Sequence, residues 1–200
     1  MIKAIIFDLG GVLFTNGTKK FIKNLSAKYD LNPEKVKDMV DGEIGSQYRE
    51  AKITRDKFWK TVREKLNITE SADELESAWI NGYELIKGTK DIILELAKKH
   101  RVYYLSDNVR ERIEKLNSKY KFLDLFEDGI FSHEVGVRKP NPEIYKLALK
   151  KAMVNPNEAV FIDDKSHFLE PARQIGITTF LFTSPEELRK NLLDNKILEN

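Results

Sequence analysis

Asp8 closes a short apolar run, Ala4-Ile5-Ile6-Phe7, and is followed by Leu9-Gly10-Gly11. Other apolar runs end in the same way. Val102-Tyr103-Tyr104-Leu105 delivers Ser106-Asp107-Asn108, Ala159-Val160-Phe161-Ile162 delivers Asp163-Asp164, and the weaker Gly129-Ile130-Phe131 is followed by Lys139. If these runs are strands of one open parallel sheet, their polar ends meet in the crevice beyond the carboxyl edge, where such sheets bind ligands. Carboxylates, a hydroxyl and an ammonium gathered there suit an anion held by a hard cation. A carboxylate can attack phosphorus if a divalent ion neutralises its repulsion from the phosphoryl oxygens. Asp8 is the candidate nucleophile. Lys139 would offset negative charge developing in transfer, and Ser106 with the amides after it would hold phosphate oxygens at a helix start. The adjacent Asp163 and Asp164 would repel each other unless a cation stood between them.

The elements that must position these groups are readable around them. Continuous apolar runs mark strands buried on both faces, and Thr178-Thr179-Phe180-Leu181-Phe182 adds a further one. Between them lie amphipathic helices, one with Ile92, Ile93, Leu96 and Ala97 inward, the next with Ile113 and Leu116. Asn141-Pro142 and Ser184-Pro185 read as N-caps followed by proline at the first helical position, and Gly176 as a helix end. Strands alternating with helices predict an α/β fold with a parallel sheet covered on both faces. Residues 16–87 break the alternation, since they carry only helical signals where a crossover needs about a dozen residues. They predict an inserted small helical bundle with Trp59 and Trp79 in its core. Ser71 and Glu74 form a capping box within it.

Hydrophobic residues at 41% and charged residues at 33% describe a globular chain, and 200 residues suffice for a sizeable core. The net charge of +2 predicts no nucleic-acid partner, with Lys19, Lys20 and Lys23 read as a solvated helix face. The absence of cysteine removes disulfides, thiolate metal sites and cysteine nucleophiles. The first apolar run is too short for a signal segment and no later stretch would span a membrane, so a cytoplasmic protein with no membrane partner is expected.

The four motifs, in order, resemble those of the haloacid dehalogenase superfamily. Phe7-Asp8-Leu9-Gly10-Gly11-Val12-Leu13 resembles the first, Leu105-Ser106-Asp107-Asn108 the second, Gly136-Val137-Arg138-Lys139-Pro140 the third and Phe161-Ile162-Asp163-Asp164 the fourth. The resemblance implies a Rossmann-like catalytic core over residues 1–15 and 88–200, with residues 16–87 as its helical cap. It implies Asp8 as nucleophile and Mg²⁺ held by Asp8, the Gly10 carbonyl and Asp164, with Asp163 a second or outer ligand. Ser106, Asp107 and Lys139 would hold the phosphoryl group of a small-molecule phosphate ester, sugar phosphates among the candidates. Two positions depart from the pattern. Gly10 stands where most phosphatases of the family carry a second aspartate that serves as general acid and base, and Phe168 where an asparagine or aspartate often orients the lysine. These departures keep two rivals open: a metal-independent 2-haloacid dehalogenase, against which the paired Asp163-Asp164 argues, and a catalytically silent binding module. Selectivity would come from the cap, with Tyr48, Arg49 and Lys52 as candidates.

Overall fold

Ala4–Phe7 (β1) is apolar at every position because it lies at the centre of a sheet buried on both faces. The computed structural model describes residues 1–199. Around β1 it places Arg101–Ser106 (β2), Asp128–Phe131 (β3), Ala159–Asp163 (β4) and Thr178–Leu181 (β5), all parallel, in the order β3-β2-β1-β4-β5. This is the expected α/β architecture, a Rossmann-like sheet between helices. Alternate β1 residues feed different cores: Ala4 and Ile6 pack with Tyr145, Ala148 and Leu169, whereas Ile5 and Phe7 pack with Ile92, Ile93 and Leu188. The order reverses at β1, since β2 and β3 build outward on one side, and β4 and β5 on the other. Phe7 pairs with Tyr104 and with Ile162, so Asp8 and Asp163 emerge level at that reversal.

Five helices fill the segment after β1, ahead of the helix that leads into β2: Gly17–Tyr29 (α1), Pro33–Asp41 (α2), Glu43–Arg49 (α3), Arg55–Leu66 (α4) and Ala72–Ile80 (α5). Their starts are written locally, in the Asn32 and Thr54 side-chain caps and the Ser71/Glu74 capping box. Trp59 and Trp79 are fully buried, with Phe21 stacked on Trp79 at 4.7 Å. The entry and exit of this segment run side by side. Thr15 donates its backbone N–H to Glu84, Ile86 donates to Leu13, and the Thr15 hydroxyl donates to the Gly82 carbonyl. The remaining helices are Lys87–Leu96 (α6), Arg110–Tyr120 (α7), Ser132–Val135 (α8), Pro142–Ala152 (α9), Ser166–Gln174 (α10) and Pro185–Asp194 (α11). Asn141 and Ser184 cap α9 and α11 as expected, and Gly176, at φ +94°, follows α10 in the left-handed conformation. No helix of the described residues is long and apolar enough to cross a membrane.

Candidate active site

The loop after β1 is tightly wound. The Leu9 carbonyl accepts from the amides of Leu13 and Phe14, at 3.0 and 2.8 Å, and Gly11 adopts φ +97°. A Cβ at Gly11 would fall 2.3 Å from Asp164 Oδ2, so glycine is required for the loop to approach the end of β4. Gly10 is not in the left-handed region, and a Cβ there would meet only Tyr83, at 3.7 Å. Among the two glycines the conformational requirement therefore belongs to Gly11.

Asp8, Asp163 and Asp164 each place a carboxylate oxygen within 4.8 Å of the others. Lys139, 1% exposed, reaches in from the loop before α9 and donates to Asp8 Oδ1 at 2.8 Å and to Asp163 Oδ2 at 2.6 Å. The other Asp163 oxygen accepts from the Lys165 amide at 2.9 Å, so both of its oxygens are occupied. Asp164 differs, because its Oδ1 is buried without a hydrogen-bond partner. Burial pushes the Asp8 carboxyl up to about 6, against the pull of Lys139, and raises those of Asp163 and Asp164 as well; the negative charge of Asp8 adds to the rise at Asp164. Burial alone would lower the Lys139 ammonium, but Asp163 and Asp8 hold it firmly charged. Three carboxylates thus face one ammonium, and the uncompensated negative charge with an orphaned carboxylate oxygen fits a hard divalent cation.

The end of β2 builds the adjoining wall of the cavity. Ser106 is 2% exposed and lines the cavity next to Asp107 and Asn108. The Asp107 carboxylate is engaged by the Lys139 amide at 3.1 Å and by Arg138 Nε at 3.2 Å, so it organises the loop that carries the lysine. Arg138 also donates to Ser46 of α3 at 2.5 Å, joining that loop to the inserted helices. Phe168, in place of an amide or carboxylate, presents its ring 5.0 Å from Lys139 Nζ, while His167 and Glu170 are exposed.

A cavity of about 760 Å³ runs from Asp8 between the sheet edge and α1 and α2. Of the three candidate selectivity residues only Arg49 lines it. Tyr48 instead stacks on Phe58 at 4.5 Å and donates to Glu111, and Lys52 pairs with Glu50. Lys19 and Lys23, expected on a solvated face, are exposed but stand at the rim of the cavity. Sequence reading also passed over Arg138 and Tyr83, both lining residues. Arg138 stands beside Lys139 in the third motif, which was a signal; Tyr83 carried none.

Comparison with known proteins gives a consistent result. A model of the haloacid dehalogenase-like hydrolase family matches residues 2–176. The chain is similar to a D-ribitol-5-phosphate phosphatase of Bacteroides thetaiotaomicron, 29% identical over 203 residues that cover 96% of this chain and 97% of the relative. It is similar to a sesquiterpene phosphatase of Aspergillus oryzae, 26% identical over 184 residues, covering 88% and 87%. A solved enzyme of the family from Bacteroides thetaiotaomicron, in complex with magnesium and inorganic phosphate, superimposes with a TM-score of 0.73 at 27% identity. That match covers 92% of this chain and 95% of the other.

Proposed function

Because this chain belongs to the haloacid dehalogenase-like hydrolases, we propose that it is a magnesium-dependent phosphatase acting on a small phosphate ester through an aspartyl phosphate on Asp8. Residues 1–15 and 88–200 form the catalytic core in this reading, and residues 16–87 the cap that closes over the ester.

The observation that carries it is the Asp164 oxygen buried without a partner inside the carboxylate trio. Asp8, Asp164 and the Gly10 carbonyl would hold Mg²⁺, and Asp163, both of whose oxygens are taken, would act mainly by orienting Lys139. When bound, the ion supplies the positive charge that lets a carboxylate approach a phosphoryl group. The protein's own groups do the rest. Asp8 Oδ2, the oxygen not given to Lys139, attacks phosphorus, and the P–O ester bond breaks. The Lys139 ammonium, kept charged by Asp163 and Asp8, stands beside the phosphoryl oxygens throughout. The Ser106 hydroxyl and the Asp107 amide hold the phosphoryl group, and water then attacks it to restore Asp8. The same carboxylate trio weighs against a metal-independent dehalogenase, which has no use for an extra buried acid.

The similarity to phosphatases of D-ribitol 5-phosphate and of sesquiterpene phosphates supports the reaction class. The test is phosphate release from a panel of small phosphate esters. Turnover that needs Mg²⁺ and stops with chelator is expected. Full activity in excess chelator, or halide release from 2-haloacids instead, would overturn the reading.

A further inference from the structure

Position 10 bears no side chain, yet the space beside it is filled. A Cβ at Gly10 would lie 3.7 Å from Tyr83 Cε1, the ring carbon next to the one that carries the hydroxyl. On the opposite edge, a Cβ at Gly17 would come within 2.3 Å of Tyr83 Cδ2, so the ring fits only because position 17 is glycine. Phe14 packs edge-on against it at 6.5 Å, and the Tyr120 hydroxyl donates to the Tyr83 carbonyl at 3.3 Å. Tyr83 is 5% exposed and lines the same cavity as Asp8, Gly10 and Thr18.

The hydrogen bonds around its hydroxyl leave one proton over. Trp79 Nε1, which can only donate, gives its proton to Thr18 Oγ1 at 3.2 Å. Thr18 Oγ1 lies 3.2 Å from Tyr83 Oη. Two hydroxyl protons are present and one is used between the pair. With Thr18 donating to Tyr83, the phenol proton is free for a group inside the cavity that Asp8 and Gly10 also line.

We propose that the Tyr83 hydroxyl donates the proton to the leaving oxygen of the ester, the task that an aspartate at position 10 would otherwise perform. The assignment rests on the phosphatase reading above. As Asp8 Oδ2 bonds to phosphorus and the P–O ester bond breaks, the bonding pair goes to the leaving oxygen and the Tyr83 proton follows it, giving a free alcohol and a phenolate. In the second step the water that attacks the aspartyl phosphate gives its proton to that phenolate. Asp8 and Tyr83 are then restored and inorganic phosphate is released, so the two steps together consume one ester and one water.

A proton donor matters most for a basic leaving oxygen, where general acid catalysis contributes about 10²–10⁴-fold. The experiment is kcat/KM with saturating Mg²⁺ across phosphate esters graded from nitrophenyl to simple alkyl leaving groups, for wild type and Tyr83→Phe. Phenylalanine keeps the ring and its packing, so an unchanged melting temperature and Mg²⁺ affinity verify the fold. Tyr83→Phe is expected to lose about 10²-fold or more on alkyl phosphates and only a few-fold on nitrophenyl phosphate. A uniform loss across the series, or none, overturns the assignment and leaves the phosphatase reading standing. A wild type that hydrolyses no ester in the series overturns both.

Discussion

Adding one methyl group at Gly11 and at Gly10 should have opposite consequences, although the residues are adjacent. At Gly11 the φ of +97° lies where an L side chain is disfavoured, by about 1–2 kcal/mol for left-handed backbone. The new Cβ would also stand 2.3, 2.5 and 2.9 Å from Oδ2, Cγ and Oδ1 of Asp164. No small adjustment clears three atoms of one carboxylate, so Asp164 must swing out of the trio. Losing groups that merely support metal ligands typically costs about 10–100-fold in affinity. Displacing a ligand itself should therefore cost at least about 100-fold, or about 2.7 kcal/mol. Gly11→Ala is expected to remain folded with a modest loss of stability while its Mg²⁺ affinity collapses. At Gly10 the methyl would sit 3.7 Å from Tyr83 Cε1, an ordinary contact, at an unstrained φ. Gly10→Ala should keep Mg²⁺ affinity within a few-fold of wild type. Calorimetric titration of the metal-free proteins with Mg²⁺ measures both, and the rise in melting temperature with excess Mg²⁺ gives an independent reading. Wild-type affinity in Gly11→Ala, or an equal collapse in Gly10→Ala, would refute the placement of Asp164 as the ligand this loop was shaped around.

Two further outcomes come from buried charge. Asp8 titrates at about 6 against 3.8 for the free side chain, because burial outweighs Lys139, so between about pH 4 and 6 the folded protein keeps a proton that the unfolded chain has given up. Stability of the metal-free protein should therefore fall as pH rises through that window, Asp163 and Asp164 acting in the same direction. Melting temperatures across pH 4–7 should show a fall that is smaller in Asp8→Asn and largely offset by Mg²⁺ at neutral pH; a wild-type profile matching Asp8→Asn would contradict the assignment. The second concerns Arg112, which pairs with Glu76 at 3.0 Å with both side chains buried, packs 3.8 Å over Trp79, and reaches Asn108 in the loop after β2. Arg112→Met strands the Glu76 charge, with Trp59 Nε1 as its remaining donor, and should cost about 3–5 kcal/mol in denaturant unfolding. A change below 1 kcal/mol would mean that water reaches Glu76.

The parts legible in the sequence were those whose physics is local. Central parallel strands carry unbroken apolar runs, so β1, β2 and β4 announce themselves, and the acids Asp8 and Asp163 that close the runs of β1 and β4 stand out against them. Caps such as Asn141 and Ser184 depend on the few residues around them. What stayed hidden depends on contacts far apart in the chain. Tyr83 sits in a short turn after α5 with no periodicity to mark it, and its meaning comes from the spaces left by Gly10 and Gly17. Tyr48, Arg49 and Lys52 could not be ranked because Tyr48 and Arg49, adjacent on α3, point in different directions and Lys52 falls in the loop beyond it; only Arg49 turns to the cavity. The Glu76–Arg112 pair was unreadable since charged residues are ordinarily solvated and nothing local marks the exception.

The central claim is that Asp8 takes the phosphoryl group onto its own carboxylate with a divalent ion beside it. Asp8→Asn keeps the side chain's size and removes its charge, and an amide is a far poorer nucleophile than a carboxylate. The direct measurement is Mg²⁺-dependent phosphate release by purified wild type and Asp8→Asn, with circular dichroism showing both to be folded. The account predicts turnover in the wild type and none above background in the variant. Near-wild-type Mg²⁺-dependent release by folded Asp8→Asn would contradict it.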